Sequence, residues 1–286
     1  MSSPDTANAL RALLAFYAEA GVASFVREEP VNRLAEPAMP PATAPLPAED
    51  TPRAASEPAP SRTLAARAPS PETPQLAPIP ASATSPEAAT MAAREAAGSA
   101  ATLDELRAIL DRFDGCALKT MAKQLVFADG NPQARLMFVG EAPGRDEDIE
   151  GRPFVGRSGQ LLDRMLTAIG LDRSEAYIAN IIPWRPPGNR TPTPQESAIC
   201  LPFIRRQIEL ADPDVLVCLG GPSMQTLLGI KEGIRRSRGR WHSYDTGTRE
   251  IRAIATFHPA YLLRSPLEKR HAWRDFLAIK KALEEG

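Results

Sequence analysis

The sequence predicts an α/β domain on a central, mainly parallel four-stranded sheet, and two observations lead to it. Four short apolar runs have the length of strands: residues 135–139 (RLMFV), 177–182 (YIANII), 215–219 (VLVCL) and 251–257 (IRAIATF). Segments with helical spacing of apolar residues lie between them. Strands joined through helices pair in parallel and are covered on both faces. In such sheets ligands bind beyond the carboxyl ends of the strands.

The elements follow in chain order. Residues 102–113 (TLDELRAILDRF) predict a helix, with Thr102 as N-cap and Glu105 at the capping-box position. The first strand runs into Gly140. A helix over 158–169 places Leu161, Leu162, Met165, Leu166 and Ile169 on one face. After the second strand comes a helix over 196–210, and after the third a helix that includes 225–228. The fourth strand leads to a final helix over 267–283.

The first hundred residues read differently. Of 29 prolines in the chain, 14 fall between Pro37 and Pro86, among Ala, Ser, Thr and Glu. Such a stretch has too few large apolar residues to offset chain entropy. The expected organisation is a short N-terminal helical segment (1–35), a disordered Pro/Ala-rich linker (36–100) and one folded domain (101–286). Within the first part, Leu10, Leu13, Leu14 and Tyr17 recur at helical spacing over 7–20. A helix that short is marginal alone, so it either docks on the domain or meets a protein partner.

Charge and cysteines narrow the class. Residues 1–100 carry 7 basic and 11 acidic side chains, whereas 101–286 carry 27 and 24, so the folded part is mildly basic. Three cysteines (Cys116, Cys200, Cys218) are too few for a disulfide framework and suit a reducing compartment. No apolar run approaches the ~20 residues of a membrane span, and the N-terminus lacks a basic signal-peptide region. A cytoplasmic, monomeric protein is expected.

Each strand delivers polar or backbone-permissive residues to one rim. The first is followed by Gly140-Glu141-Ala142-Pro143-Gly144. The second carries Asn180 and is followed by Pro183-Trp184-Arg185-Pro186-Pro187-Gly188-Asn189-Arg190, the third by Gly220-Gly221, and the fourth by His258-Pro259-Ala260-Tyr261-Leu262-Leu263-Arg264. Each segment alone has a plainer reading: a tight turn, a structural histidine, a rigid proline loop. Four coincident strand ends are stronger than any one of them.

The blocks Gly140–Gly144, Gly151-Arg152-Pro153-Phe154-Val155-Gly156, Asn180, Arg185–Arg190 and His258-Pro259-Ala260 stand in an order that resembles the family 4 uracil-DNA glycosylases, from about Cys116 to about Leu283. The resemblance implies a three-layer α/β/α fold and a DNA-repair glycosylase that flips uracil from DNA and hydrolyses its N-glycosidic bond. It implies that Phe154 stacks on the flipped base and that Asn180 reads it. A side-chain amide offers one donor and one acceptor, matching uracil O4 and N3–H. By the same resemblance His258 lies at uracil O2, where a donor stabilises charge growing on the leaving base, and backbone N–H groups at Ala142 and Gly144 add donors. Glu141 is the first choice for the water-activating or cation-stabilising carboxylate, and Glu147 the second. The run Asp146-Glu147-Asp148 also reads as a solvated turn.

DNA contacts are expected from Arg185, Arg190, Arg238, Arg240 and Arg264, as phosphate partners. Arg235 and Arg236 belong to the same basic stretch, and Leu263 is the favoured wedge into the base stack. The family holds a [4Fe–4S] cluster on four cysteines. Here two of those positions are Cys116 and Cys200, and the other two are Lys119 and Trp184. Two thiolates do not hold a cubane in the usual way, so no cofactor and no metal are expected. Cys218, inside a strand, reads as a small buried hydrophobe. The alternative function is a non-catalytic or covalently trapping uracil-DNA binding protein of the same fold. Against trapping, the loop with Arg157-Ser158 has no histidine. Against an adaptor, Phe154, Asn180 and His258 are all in place.

Overall fold

A computed structural model describes residues 85–285. The expected N-terminal helix over 7–20, and the Pro/Ala-rich stretch up to residue 84, lie outside the described residues.

The first described element corrects the expected boundary. Residues 86–98, assigned by composition to the linker, form helix α1 (Pro86–Gly98). The Ser85 hydroxyl accepts from the Ala88 N–H at 3.2 Å, and Pro86 occupies the first turn, where its missing N–H is harmless. Alanine has the highest helix propensity of any residue. The stripe Ala89, Ala93 and Ala97 is buried against a later helix, α6 (Pro194–Ala211). Small side chains therefore let two helices approach closely where a search for large apolar residues finds nothing.

The remaining elements follow the expected alternation. Helices α2 (Leu103–Arg112) and α3 (Leu118–Met121) precede strands β1 (Ala128–Gly130) and β2 (Leu136–Gly140). Thr102 caps α2 by accepting from the Glu105 N–H at 3.2 Å. Helices α4 (Arg145–Glu150) and α5 (Arg157–Ala168) lead to β3 (Tyr177–Asn180), and α6 leads to β4 (Val215–Leu219). Then come α7 (Gly221–Leu228), α8 (Ile234–Ser237), β5 (Trp241–Asp245), β6 (Glu250–Thr256), α9 (Pro259–Arg264) and α10 (Lys269–Glu284).

The sheet has six strands, in the order β1-β3-β2-β4-β6-β5. The four expected strands form its parallel centre. The two additional ones, β1 and β5, pair antiparallel at the edges. Both lack the apolar density of a central strand: β1 is the three residues ADG, and β5 (WHSYD) buries only Tyr244.

Side chains of the central strands alternate between two layers, as a pleated strand requires. Met137, Val139, Leu216 and Cys218 pack into the cluster that contains Leu106, Ile199 and Phe203, on the side of α2 and α6. Leu136, Phe138, Val215 and Val217 pack into the cluster that contains Leu162, Leu166, Phe276 and Ile279, on the side of α5 and α10. The arrangement is three-layer α/β/α. Its consequence for the site lies in the register. Gly140 pairs with Asn180 across β2 and β3, and Leu219 with Thr256 across β4 and β6, so the carboxyl ends of all four strands finish level with one another. Among the described residues, no helix is long and apolar enough to cross a membrane.

Candidate active site

A cavity of about 580 Å³ opens over these strand ends. Small-ligand sites usually fall between ~300 and ~1,000 Å³. Its lining includes Glu141, Ala142, Gly144, Glu147, Phe154, Asn180, Arg190, His258 and Arg264. The structure thus brings most of the sequence-predicted site residues to one place.

The inner wall is set by Gly140, Asn180 and Phe154. Asn180 ends β3 and is 5% exposed, and its Oδ1 has no hydrogen-bond partner among the described residues. A buried acceptor left unpaired costs about 1–3 kcal/mol. That cost is removed if a ligand supplies the donor. Oδ1 and the Phe154 ring both close on Gly140: a Cβ added there would overlap Oδ1 and lie 2.8 Å from the ring. A glycine at the end of β2 is therefore a spatial requirement of these two side chains.

Phe154 has φ +55°, unusual for an aromatic residue, and is 4% exposed. Strain of about 1–3 kcal/mol persists only where surrounding contacts over-determine it. Glu147 supplies some of those contacts. Its Oε1 accepts from the N–H groups of Val155 and Gly156 at 3.1 and 3.0 Å, and its Oε2 accepts from Gly144 at 3.1 Å. The carboxylate of α4 thereby bolts the first strand-end loop to the turn that carries Phe154. All three bonds use oxygens that a water activator needs free, and the Gly144 N–H is occupied as well. The Ala142 N–H, by contrast, donates to no acceptor among the described residues.

His258 ends the loop after β6 and caps α9. Its Nδ1 accepts from the Ala260 N–H at 3.1 Å. Since Nδ1 accepts, the ring's proton sits on Nε2. Burial, with a smaller contribution from the Arg264 charge, lowers its pKa to about 4, so the ring is neutral near pH 7. Its face lies 5.4 Å from that of Phe154, centroid to centroid. Two stacking distances of about 3.5 Å do not fit into that gap, so no planar ring fits between the two.

Glu141, at the mouth of the first loop, is half-buried, and desolvation raises its pKa above the usual carboxylate range. Its side chain has no hydrogen-bond donor among the described residues. Of the carboxylates weighed from sequence, it is the one available to a ligand.

The arginines separate into inward and outward groups. Arg238 turns inward: its Nε donates to Asp275 Oδ2 at 2.8 Å, its Nη2 pairs with Asp275 Oδ1, and its side chain is 15% exposed. Asp275 also accepts from Thr256 Oγ1 at 2.6 Å, and burial pushes its carboxyl pKa up against those partners. This arginine is a structural tie between the α8 loop, β6 and α10. Arg190 pairs with Glu196 through Nη2 at 2.6 Å and Nη1 at 2.8 Å, which lowers the Glu196 pKa to about 2. Arg185 donates to Asn189 Oδ1 at 2.7 Å and lies 3.9 Å from the buried Asp148. Arg264 and Arg240 are exposed, the first at the cavity and the second 4.0 Å from Glu232. Leu263 is half-buried against Leu161, Phe257, Leu262 and Ala272, whereas Leu267, four residues on, is 85% exposed.

Lining residues that the sequence did not single out include Ile234 and Pro192. Ile234 reaches the rim only because the chain returns over the sheet after β4, and no spacing in the sequence signals that.

The residues at the four cluster positions do not fit a [4Fe–4S] group, which takes four thiolates. Cys116 and Cys200 are buried, and the influence of each on the other lowers the Cys116 pKa and raises that of Cys200. Lys119 turns to Asp114 at 2.7 Å, and the Trp184 indole is packed into the core at 2% exposure. The third thiol, Cys218, lies within β4, where burial pushes its pKa up to about 12.

Residues 127–277 match the model of the uracil DNA glycosylase superfamily. A type-4 uracil-DNA glycosylase of Thermotoga maritima is 42% identical over 57% of this chain and 86% of its own. That of Archaeoglobus fulgidus is 40% identical over 57% and 84%, and that of Saccharolobus solfataricus 38% over 63% and 88%. The chain belongs to the uracil DNA glycosylase superfamily.

Proposed function

We propose that this protein removes uracil from DNA by hydrolysing its N-glycosidic bond and leaves an abasic site. The observation that carries the reading is the buried, unpaired Oδ1 of Asn180, facing a cavity shared with Phe154 and the Nε2–H of His258. The similarity to type-4 uracil-DNA glycosylases supports the same substrate.

The roles follow from chemistry. A base inside a duplex is extruded into the pocket before it reacts. Asn180 accepts from N3–H and donates to O4, and Phe154 supplies the stacking face. Cytosine presents the reverse pattern at these atoms. As the C1′–N1 bond breaks, its electron pair moves onto the base, where the His258 Nε2–H and the Ala142 N–H stabilise the charge. Water oxygen bonds to C1′ on the opposite face and loses a proton. Glu141 takes that proton, or stays ionised and balances the sugar cation while the proton passes to solvent water. We assign Glu147 to the structural clamp. Arg264, Arg240, Arg185 and Arg190 are the phosphate partners, Arg238 is not, and the exposed Leu267 replaces Leu263 as the wedge. The folded body, from about residue 85, works as a monomer without a cluster, in the cytoplasm and on DNA.

A uracil-containing oligonucleotide treated with protein and then alkali tests this. Strand cleavage supports the enzyme. A denaturant-resistant adduct supports covalent trapping instead, and neither product supports a non-catalytic binder.

A further inference from the structure

We propose that Arg173 is a positioning residue for the uracil pocket: it holds Phe154 in its left-handed backbone conformation without itself lining the cavity. The inference rests on the glycosylase reading only for its kinetic consequence.

Arg173 sits in a 3₁₀ turn, Arg173–Glu175, just before β3. Its guanidinium reaches across to the Phe154 turn. Nη1 donates to the Pro153 carbonyl at 3.1 Å, and Nη2 donates to the Phe154 carbonyl at 2.5 Å. The remaining donors fix the guanidinium. Nε and Nη2 meet Asp163 Oδ1 on α5 at 3.1 and 2.9 Å, and Nη1 meets Asp129 Oδ2 on β1 at 2.6 Å. One planar fork therefore satisfies two backbone carbonyls and two carboxylates at once. A lysine, with a single nitrogen on a flexible stem, does not match that set.

Its action differs from that of Glu147. Glu147 takes the N–H groups at 155 and 156, after the strained residue. Arg173 takes the carbonyls at 153 and 154, on and before it. Between them, Gly159 of α5 lies so close that a Cβ there would overlap the Phe154 carbonyl. These contacts surround the φ of +55° at Phe154 from three sides. With Arg173 removed, both carbonyls lose their donor, and the turn can relax to the ordinary φ region. That relaxation swings the ring away from Asn180 and His258.

The test places 4-fluorophenylalanine at position 154 of the full chain and compares parent, Arg173→Gln and Arg173→Lys by fluorine NMR, with uracil release measured in parallel. The parent should give one narrow resonance displaced from that of the free amino acid. In Arg173→Gln that resonance should broaden or move toward the free value at temperatures well below melting. Single-turnover release should fall about 30-fold, since displacement by ~1 Å can cost ~100-fold, while DNA affinity stays within about twofold. In a Phe154→Leu background the same substitution should cost less than about threefold, because the two act as one unit. If Arg173→Gln does not fold, Arg173→Lys carries the same readings. An unchanged resonance, or an equal fold-loss in both backgrounds, overturns the proposal. A parent that releases no uracil overturns the glycosylase reading instead, and the resonance still decides the role of Arg173.

Discussion

The backbone N–H of Ala260 donates to Nδ1 of His258 at 3.1 Å. This bond requires an unprotonated Nδ1, and it fixes which ring nitrogen faces the cavity as donor. The folded pKa of His258, about 4, lies below its ordinary value of 6.5. Stability from the neutral ring is thus complete above pH 6.5 and is lost as the pH falls from there toward 4. The acid limb of uracil release should accordingly fall below the ordinary histidine range, and His258→Ala should lower the rate by about 10²–10³-fold. A pH profile of single-turnover rate checks both. An inflection at pH 6.5 that disappears in His258→Ala would contradict them.

Asn180 trades stability for recognition. Its unpaired Oδ1 is unfavourable in the free protein. Asn180→Ala should therefore melt within about 1 kcal/mol of the parent, although the site is buried, while uracil release falls by about 100-fold or more. Thermal melts beside activity measurements separate the two effects.

Gly140→Ala should behave oppositely, harming both properties. Its methyl group collides with Asn180 and Phe154, so a stability loss of about 1–3 kcal/mol is expected from overpacking. Denaturant unfolding together with the release assay reads both.

Two arginines drawn from one basic stretch and its neighbour should differ in kind. Arg264→Ala should weaken DNA binding and reduce the salt slope by about one counterion. Arg238→Ala should instead destabilise the fold by about 3–5 kcal/mol, since it strands the buried Asp275. Binding isotherms at several salt concentrations, with melts alongside, distinguish them.

The degenerate cluster positions make a spectroscopic prediction. The purified protein should carry less than one iron per chain and no broad absorbance near ~400 nm, given that a cubane takes four thiolates. Cys116→Ser should retain uracil release. About four irons per chain would contradict this account.

What the sequence made legible was the part built from local signals. Three of the four central strands are apolar runs that stop at glycine or histidine, so the rim was visible in Gly140 and His258, whereas the apolar run over 177–182 continues past Asn180, where β3 ends. Helix α1 was not legible, because alanine has too small a side chain to mark a core-facing stripe, and the stripe matters only once α6 is beside it. The acidic run from Asp146 to Asp148 showed a charge at Glu147 but not its acceptors' use, because two of the three N–H partners come from a loop eight and nine residues on. Arg238 and Arg264 look alike in sequence. Their fates diverge through Asp275, 37 residues from the first, whose burial no local pattern reveals. Arg173 gave no signal because its partners come from three separate segments.

The most direct test of the central claim measures free base by mass spectrometry after incubating full-length protein with a uracil-containing oligonucleotide, beside Asn180→Asp and His258→Ala. The parent should release one free uracil per abasic site, and both variants should show a large loss. No free uracil from the parent, or release by the two variants as fast as by the parent, would contradict it.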